Sequence, residues 1–389
     1  MRGPPASCAP MYSLEQFAHM FSDPLRMDAY RGVIAKTVKP GSVVVDLGCG
    51  PGVFAMLACR AGARRVYAID LNGVVDFGRH LAAANGMADR VEFLCGDSRQ
   101  IQLPERADVI VSDVRGALPL HSHAIGTLED ARTRFLVEGG RLIPASDTLL
   151  CALIENHDAH SEIIDAWKSV PQLDLSDGLP IALNCEYHPH LEPRHLVSEP
   201  ERWLKLDYKQ GAETHVTKTM SLTALRNATV HGLGLWFETD LGEGFGYSTA
   251  PGKGDRVYGH KFLPWLEPVS LREGDTCCVT VGAHLVSGRY IWQWETRVPG
   301  GQGRPEVHFR QSTFYGGILS TSYLKKHATE FVPVLSESGL AERWLFHSMD
   351  GRRALQQIAE EAAGLFPHVF PRVQDAYARA AEIAEKYAR

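Results

Sequence analysis

Three glycines and a set of carboxylates supply the first chemistry. Val43-Val44-Val45-Asp46-Leu47-Gly48-Cys49-Gly50-Pro51-Gly52 puts Gly48, Gly50 and Gly52 directly after a β-branched run and ahead of an alanine-rich segment. Without Cβ atoms the backbone there can turn tightly and approach a ligand closely. Asp70 ends the next β-branched run, about twenty residues on, where a carboxylate can accept both hydroxyls of a ribose. Dinucleotide sites prefer G-x-G-x-x-G, with a pyrophosphate on the helix N-terminus. Here the order is G-x-G-x-G, and Asp46 at its head repels a pyrophosphate but suits a ligand with an ammonium group. Asp97 and Ser98, after a third such run, provide an acceptor or cap near an adenine amino group. S-adenosylmethionine, which has an ammonium group and no phosphate, is the expected cofactor.

These residues need strands that end together. Residues 43–46, 66–70, 91–94 and 109–112 are short β-branched runs, and residues 53–63 between the first two have apolar positions at helical spacing. Alternating strands and helices imply βαβ units and a parallel sheet covered on both faces. Residues 141–144 and 148–154 continue the strand series. From about residue 150 the pattern changes to short alternating strands bounded by Gly, Pro and Asp, including 234–239, 276–283 and 290–294, which read as antiparallel sandwich or barrel. Residues 336–389 are rich in Ala, Glu and Arg at helical spacing, with a turn at Met349-Asp350-Gly351.

Composition bounds the function. A chain of 389 residues, 44% hydrophobic and 22% charged, has room for two or three domains with cores of their own. Forty basic against 46 acidic residues, a net charge of -6, exclude the basic footprint of a general nucleic-acid binder. The eight cysteines, Cys8, Cys49, Cys59, Cys95, Cys151, Cys185, Cys277 and Cys278, form neither a C-x-x-C pair nor a zinc spacing. No metal is therefore expected, and a reducing cytoplasm is the expected location. Residues 1–10 lack the apolar centre of an export signal, and no apolar run approaches the about 18 residues of a membrane span.

Further motifs point to a family. Met20-Phe21-Ser22-Asp23-Pro24-Leu25-Arg26-Met27-Asp28-Ala29-Tyr30 fits a helix of the form M-x-x-D-x-x-R-x-x-x-Y. Residues 167–177 and 196–206, with Ser198-Glu199-Pro200, are followed by Gly234-Leu235-Trp236-Phe237, Tyr247-Ser248-Thr249-Ala250-Pro251, Leu266-Glu267-Pro268 and Gly274-Asp275. With the glycine loop, these segments resemble the protein arginine methyltransferase family of class I S-adenosylmethionine-dependent enzymes over about residues 12–300. The resemblance implies an α/β fold: an N-terminal helical segment (1–40) contributing to the cofactor site and a Rossmann-like cofactor domain (41–150). It further implies an antiparallel β-barrel domain (151–330) with a dimerisation arm at about 167–206, and a head-to-tail homodimer. Arg26 takes the family's role of holding the cofactor carboxylate, for which a guanidinium fork is geometrically suited. Residues 331–389 form a C-terminal helical domain outside the family core that weakly resembles winged-helix modules holding precursor peptides.

The family localises charge on an acceptor guanidinium with two glutamates in the loop after the fourth strand. Two carboxylates bind a guanidinium on two edges. The loop here is Ser112-Asp113-Val114-Arg115-Gly116-Ala117-Leu118-Pro119-Leu120-His121-Ser122-His123, with Asp113 in place of the first glutamate and Ser122 in place of the second. Asp is one methylene shorter, Ser has no charge, and Arg115 is a fixed cation that competes for Asp113. His121 and His123 offer general bases for a neutral nucleophile near pH 7. The stretch corresponding to the family's Thr-His-Trp turn is Arg256-Val257-Tyr258-Gly259-His260-Lys261, which lacks both the Thr and the Trp and has its His one or two positions away from the expected one; Tyr258 and His260 are the candidate pocket residues there. The resemblance thus implies methyl transfer to a protein or peptide nitrogen such as an arginine guanidinium. The alternatives are a small-molecule methyltransferase of the same fold and a non-catalytic cofactor-binding scaffold.

Overall fold

The computed structural model describes residues 12–254, 257–300, 305–318 and 320–388. Cys8, Arg256 and residues 1–10, on which the expectation of no export signal rests, lie outside the described residues.

The first two helices among the described residues are α1 (Leu14–Phe21) and α2 (Pro24–Thr37), where the M-x-x-D-x-x-R-x-x-x-Y motif implies one. Proline has no N–H to donate and starts a helix readily, so Pro24 begins a new one. The Asp23 carboxylate accepts from the backbone N–H groups of Leu25 (3.1 Å) and Arg26 (3.3 Å) and caps it. Arg26, Ala29, Tyr30, Val33 and Ile34 line the buried face of α2, which fixes Arg26 on the first turn.

The parallel sheet comprises β1 (Val43–Leu47), α3 (Val53–Arg60), β2 (Arg65–Asp70), α4 (Val74–Ala84), β3 (Val91–Cys95), β4 (Ala107–Ser112), α5 (Ala124–Phe135) and β5 (Leu136–Ile143). Its strand order is β3-β2-β1-β4-β5, and every pairing is parallel. All five residues of β1 are buried, as a central parallel strand requires. The order reverses between β1 and β4, and in such sheets the ligand crevice opens at the carboxyl ends of the strands beside that reversal.

β6 (Ser146–Ile154) does not extend this sheet, contrary to the strand series read from the sequence. Only Pro144 and Ala145 separate it from β5, too short for the crossover that a further parallel strand needs. It joins an antiparallel sheet with β7 (Glu201–Asp207), after α6 (His157–Ala166) and α7 (Leu179–Ala182). The remaining strands are β8 (His215–Thr223), β9 (Ala228–Gly242), β10 (Phe245–Ser248), β11 (Lys261–Leu271), β12 (Thr276–Val286), β13 (Arg289–Val298) and β14 (Val307–Ser312). One antiparallel sheet runs β10-β9-β6-β7 with β11 also on β9, and the other runs β14-β13-β12-β8. Trp203, Trp265, Trp292 and Trp294 are buried in this part. The Trp203 indole donates to the Val281 carbonyl and the Trp294 indole to the Pro264 carbonyl, each at 3.0 Å, so these two side chains bury area without stranding a donor, whereas the buried Trp265 indole nitrogen has no partner among the described residues.

Residues 319–389 form a second compact unit. It contains α8 (Thr321–Lys326), α9 (Glu337–Ser348), α10 (Leu355–Leu365) and α11 (Val373–Tyr387), and its own core includes Leu345, Ile358, Phe370 and Ile383. Among its described residues there is no strand, so the wing of a winged-helix module is absent there. No helix among the described residues is long and apolar enough to cross a membrane.

Candidate functional site

The glycine loop and the strand ends around it form one side of the crevice. Gly48, Gly50 and Gly52 have φ of 71°, 50° and 80°. These are left-handed conformations that glycine adopts without strain. A Cβ at these positions would come within 3.0 Å of the Val114, Phe17 and Phe93 side chains respectively. Asp70 ties the loop to the end of β2: its Oδ2 accepts from the Gly50 N–H at 2.9 Å, and its Oδ1 accepts from the backbone and side chain of Asn72 at 3.0 and 3.2 Å.

Asp46 is buried, and its Oδ2 accepts from the Ala55 N–H at 2.8 Å in the first turn of α3. Its Oδ1 is also buried but has no hydrogen-bond partner among the described residues. Burial pushes this carboxyl up to about 7, against the Ala55 hydrogen bond that lowers it. A buried carboxylate with one free oxygen is costly unless a cationic donor meets it, and an ammonium group would satisfy it. The residues present therefore fit the cofactor expected from the loop. Asp97 stands after β3, but both its oxygens are held by Arg99 at 2.7–3.1 Å. The Arg99 hydrogen bonds keep its carboxyl below the usual range. Ser98 is buried, and its carbonyl accepts from Arg134 at 2.6 Å.

The other side of the crevice is built around Asp113, just beyond β4. Its Oδ2 accepts from Arg26 Nε and from the Tyr258 hydroxyl, each at 2.5 Å, and its Oδ1 accepts from Arg115 Nε at 3.0 Å. Burial raises this carboxyl, but Arg26 and Arg115 beside it hold it below the usual carboxylate range. Arg26 also donates through Nη1 to the Met20 carbonyl at 3.1 Å. Its Cζ lies 5.0 Å from the Phe54 ring centre. Burial is the largest influence and opposes its charge, but Asp113 together with Tyr258, Tyr30 and Tyr247 more than offsets it and raises its pKa. Arg26 Nη2 has no hydrogen bond to any described residue, which leaves one donor edge for a carboxylate.

Arg115 is fully enclosed, with 3% side-chain exposure. Its Nη1 donates to Asp147 Oδ1 (2.8 Å) and Thr239 Oγ1 (3.0 Å), and its Nη2 donates to the Tyr30 hydroxyl (2.5 Å). Phe237, Tyr247 and Tyr258 surround its Cζ with ring centres at 5.3, 5.9 and 6.0 Å. Asp147 also accepts from the Tyr208 hydroxyl at 2.6 Å. Asp147, Thr239, Tyr208 and Tyr247 were not assigned to the site from the sequence, and the available signal was an aspartate at the start of the otherwise apolar β6.

The remaining predicted acceptor residues do not touch Asp113. His121 is exposed with its Nδ1 turned toward Gly116, where a Cβ would lie 2.9 Å away. Crowding by neighbouring atoms and the charge of Lys261 lower its pKa. Ser122 is exposed at a positive φ of 44°. His123 lies beside the β12–β13 turn, its Nε2 2.9 Å from where a Gly288 Cβ would stand. His260 is buried and accepts from the Leu191 N–H at 3.1 Å. Of the two turn residues proposed for the pocket, Tyr258 reaches Asp113 and His260 faces the 188–191 segment instead. Among the described residues no cluster of His, Cys, Asp and Glu is arranged to hold a metal.

Two family models match: a methyltransferase domain over residues 44–140 and an arginine methyltransferase oligomerization subdomain over residues 145–316. Probable protein arginine N-methyltransferase 6 of Arabidopsis thaliana is 30% identical over 266 residues, 64% of this chain and 60% of that one. Protein arginine N-methyltransferase 1 of Schizosaccharomyces pombe is 28% identical over 296 residues, 70% of this chain and 86% of that one. The chain spans 59–61% of the length of the Arabidopsis relative and two rice relatives. In fold it is similar to the Trypanosoma brucei PRMT1 enzyme-prozyme heterotetrameric complex with AdoHcy, with a TM-score of 0.71 at 22% identity over 76% of this chain and 97% of that one. Arabidopsis thaliana protein arginine methyltransferase 10 gives a TM-score of 0.69 at 22% identity over 77% and 97%.

Proposed function

We propose, from the premise that the chain belongs to the protein arginine methyltransferase-like family of class I methyltransferases, that it binds S-adenosylmethionine and methylates a nitrogen on a protein or peptide, with arginine guanidinium the acceptor that family membership favours. The observation that carries the cofactor reading is the unpartnered Asp46 oxygen, buried beside the glycine loop at the point where the strand order reverses. Asp46 would hold the ammonium group, Arg26 the carboxylate through its remaining edge, Asp70 the ribose hydroxyls, and Asp97 with Ser98 the adenine. When bound, the cofactor supplies a sulfonium methyl: the carbon–sulfur bond breaks as the carbon–nitrogen bond forms, sulfur keeps the electron pair, and the acceptor nitrogen sheds a proton. Alignment and exclusion of water are the main demands of such a transfer. Arg26 serves both sides of the crevice, because the edge it turns to Asp113 differs from the edge left for the cofactor. His121, neutral at pH 7 by the direction of its shift, and His123 are the nearby loop groups proposed to accept the proton.

The family premise extends to assembly: a homodimer through residues 167–206, closure of the antiparallel strands into a barrel, and a cytoplasmic location. A second reading, cofactor binding without catalysis, is favoured by the engagement of Asp113 with two arginines. Calorimetry tests the first step. S-adenosylmethionine is expected to bind, and Asp70→Ala to weaken binding by at least about tenfold, the scale of one lost charge-assisted contact. No binding to the unmodified chain would remove the proposal. Mass spectrometry of arginine-rich peptides after incubation with labelled cofactor separates the readings: a methylated guanidinium supports transfer, and unlabelled peptide with intact cofactor binding supports the scaffold.

A further inference from the structure

The Arg115 guanidinium already has the surroundings that a substrate guanidinium would need. One edge lies on Asp113 and another on Asp147 and Thr239, a hydroxyl meets its third nitrogen, and aromatic rings surround it. Two carboxylates on two edges with aromatic faces around them are what a planar cation selects. Asp113 accepts hydrogen bonds from Arg115, Arg26 and Tyr258, three of the about four positions that a carboxylate has. We infer that Arg115 is the specificity-determining residue of this site: a resident guanidinium that occupies the acceptor seat at Asp113 and competes with an incoming arginine.

This inference rests on the proposed transfer to arginine, and it implies that Arg115 slows that transfer in the unmodified chain. Arg26 and Arg115 balance Asp113 and Asp147, and all four side chains are nearly or fully buried, with exposures of 8%, 3%, 6% and 0%. A third buried cation would have no counter-charge, and such a charge is costly. Replacing Arg115 with a small residue leaves Asp113 and Asp147 facing an emptied seat, a two-carboxylate arrangement that a free guanidinium can enter. Replacing Arg115 and Asp147 together by apolar residues removes a balanced pair, which folded proteins tolerate well, and frees one edge of Asp113.

The test has two arms. In the first, Arg115→Ala and the unmodified chain are melted with and without millimolar ethylguanidinium. A Tm increase of several degrees confined to the variant is expected, and no increase, or an equal one in both proteins, overturns the inference. In the second, Arg115→Ala and the double variant Arg115→Met/Asp147→Leu are compared with the unmodified chain on an arginine-rich peptide at saturating S-adenosylmethionine. Transfer at least about tenfold faster in the variants is expected. Equal or slower transfer by variants that bind the cofactor as tightly as the unmodified chain overturns it, and the double variant keeps this arm decisive where the single one fails to fold. The melting arm needs no cofactor, so it reads whether the Arg115 seat takes a free guanidinium even if S-adenosylmethionine binding fails, and the transfer arm reads whether Arg115 sets specificity.

Discussion

Asp46 gives the crevice a pH dependence that can be read directly. Its carboxyl is raised to about 7 in the folded chain, whereas an aspartate in an unfolded chain titrates near about 3.9. The raised value means that the stability associated with the protonated form is complete below about pH 4 and is lost as pH rises toward about 7 in the cofactor-free protein. Binding of an ammonium-bearing cofactor requires the carboxylate, so affinity is expected to rise by up to about tenfold per pH unit below 7 and then level off. Calorimetry between about pH 5 and about pH 8, in steps of about one unit, checks this: Asp46→Asn should bind weakly with a flat profile, and a flat profile in the unmodified chain would refute the linkage. Asp46, Gly48, Gly50, Gly52 and Asp70 were legible in the sequence because strand ends and glycine turns are local patterns. Asp147 and Thr239 were not, because they meet as register partners of β6 and β9, and register is a property of pairing rather than of either segment alone.

Among the elements, α2 has the most concentrated role. Its cap sets the start of the helix, and the start sets the position of Arg26. Asp23→Ala is expected to cost about 0.5–2 kcal/mol and to weaken cofactor binding as well, because Arg26 lies within the first turn. Chemical denaturation gives the first quantity and calorimetry the second; a loss of stability with unchanged affinity would show that Arg26 is positioned by Asp113 alone. The individual strands were readable from their β-branched runs, and the helix at residues 53–63 appears as α3. The allegiance of β6 was not, because its apolar run suits either kind of sheet and only the two-residue connection from β5 excludes a parallel crossover. The break between α1 and α2 was available in Asp23-Pro24, a cap followed by a helix-starting proline, although the family motif reads through it.

At the scale of the molecule, residues 167–206 carry the proposed self-association. Val170 and Leu173 are 41% and 63% exposed, while Trp167 packs beside a buried cluster of Ile154, Ile163, Leu183, Leu191 and Phe262. An arm that is anchored at its base and apolar at its exposed positions suits docking on a second copy. Leu173→Asp is expected to shift the proposed dimer toward monomer without unfolding the chain, because Leu173 lies outside that cluster. Sedimentation velocity reads the outcome, and an unchanged mass distribution would place the interface elsewhere.

The site also has a history within each molecule's synthesis. Arg26 and Tyr258, 232 residues apart, hydrogen-bond to each other and meet on the same Asp113 oxygen. A nascent chain that has released all of β1 to β5 still lacks Thr239, Tyr247 and Tyr258. Until those residues emerge, Arg115 has no aromatic enclosure and Asp113 lacks its tyrosine. The enclosed charge network therefore cannot be completed before residue 258 has emerged, and a product terminated before that residue would possess the cofactor strands without a finished acceptor side.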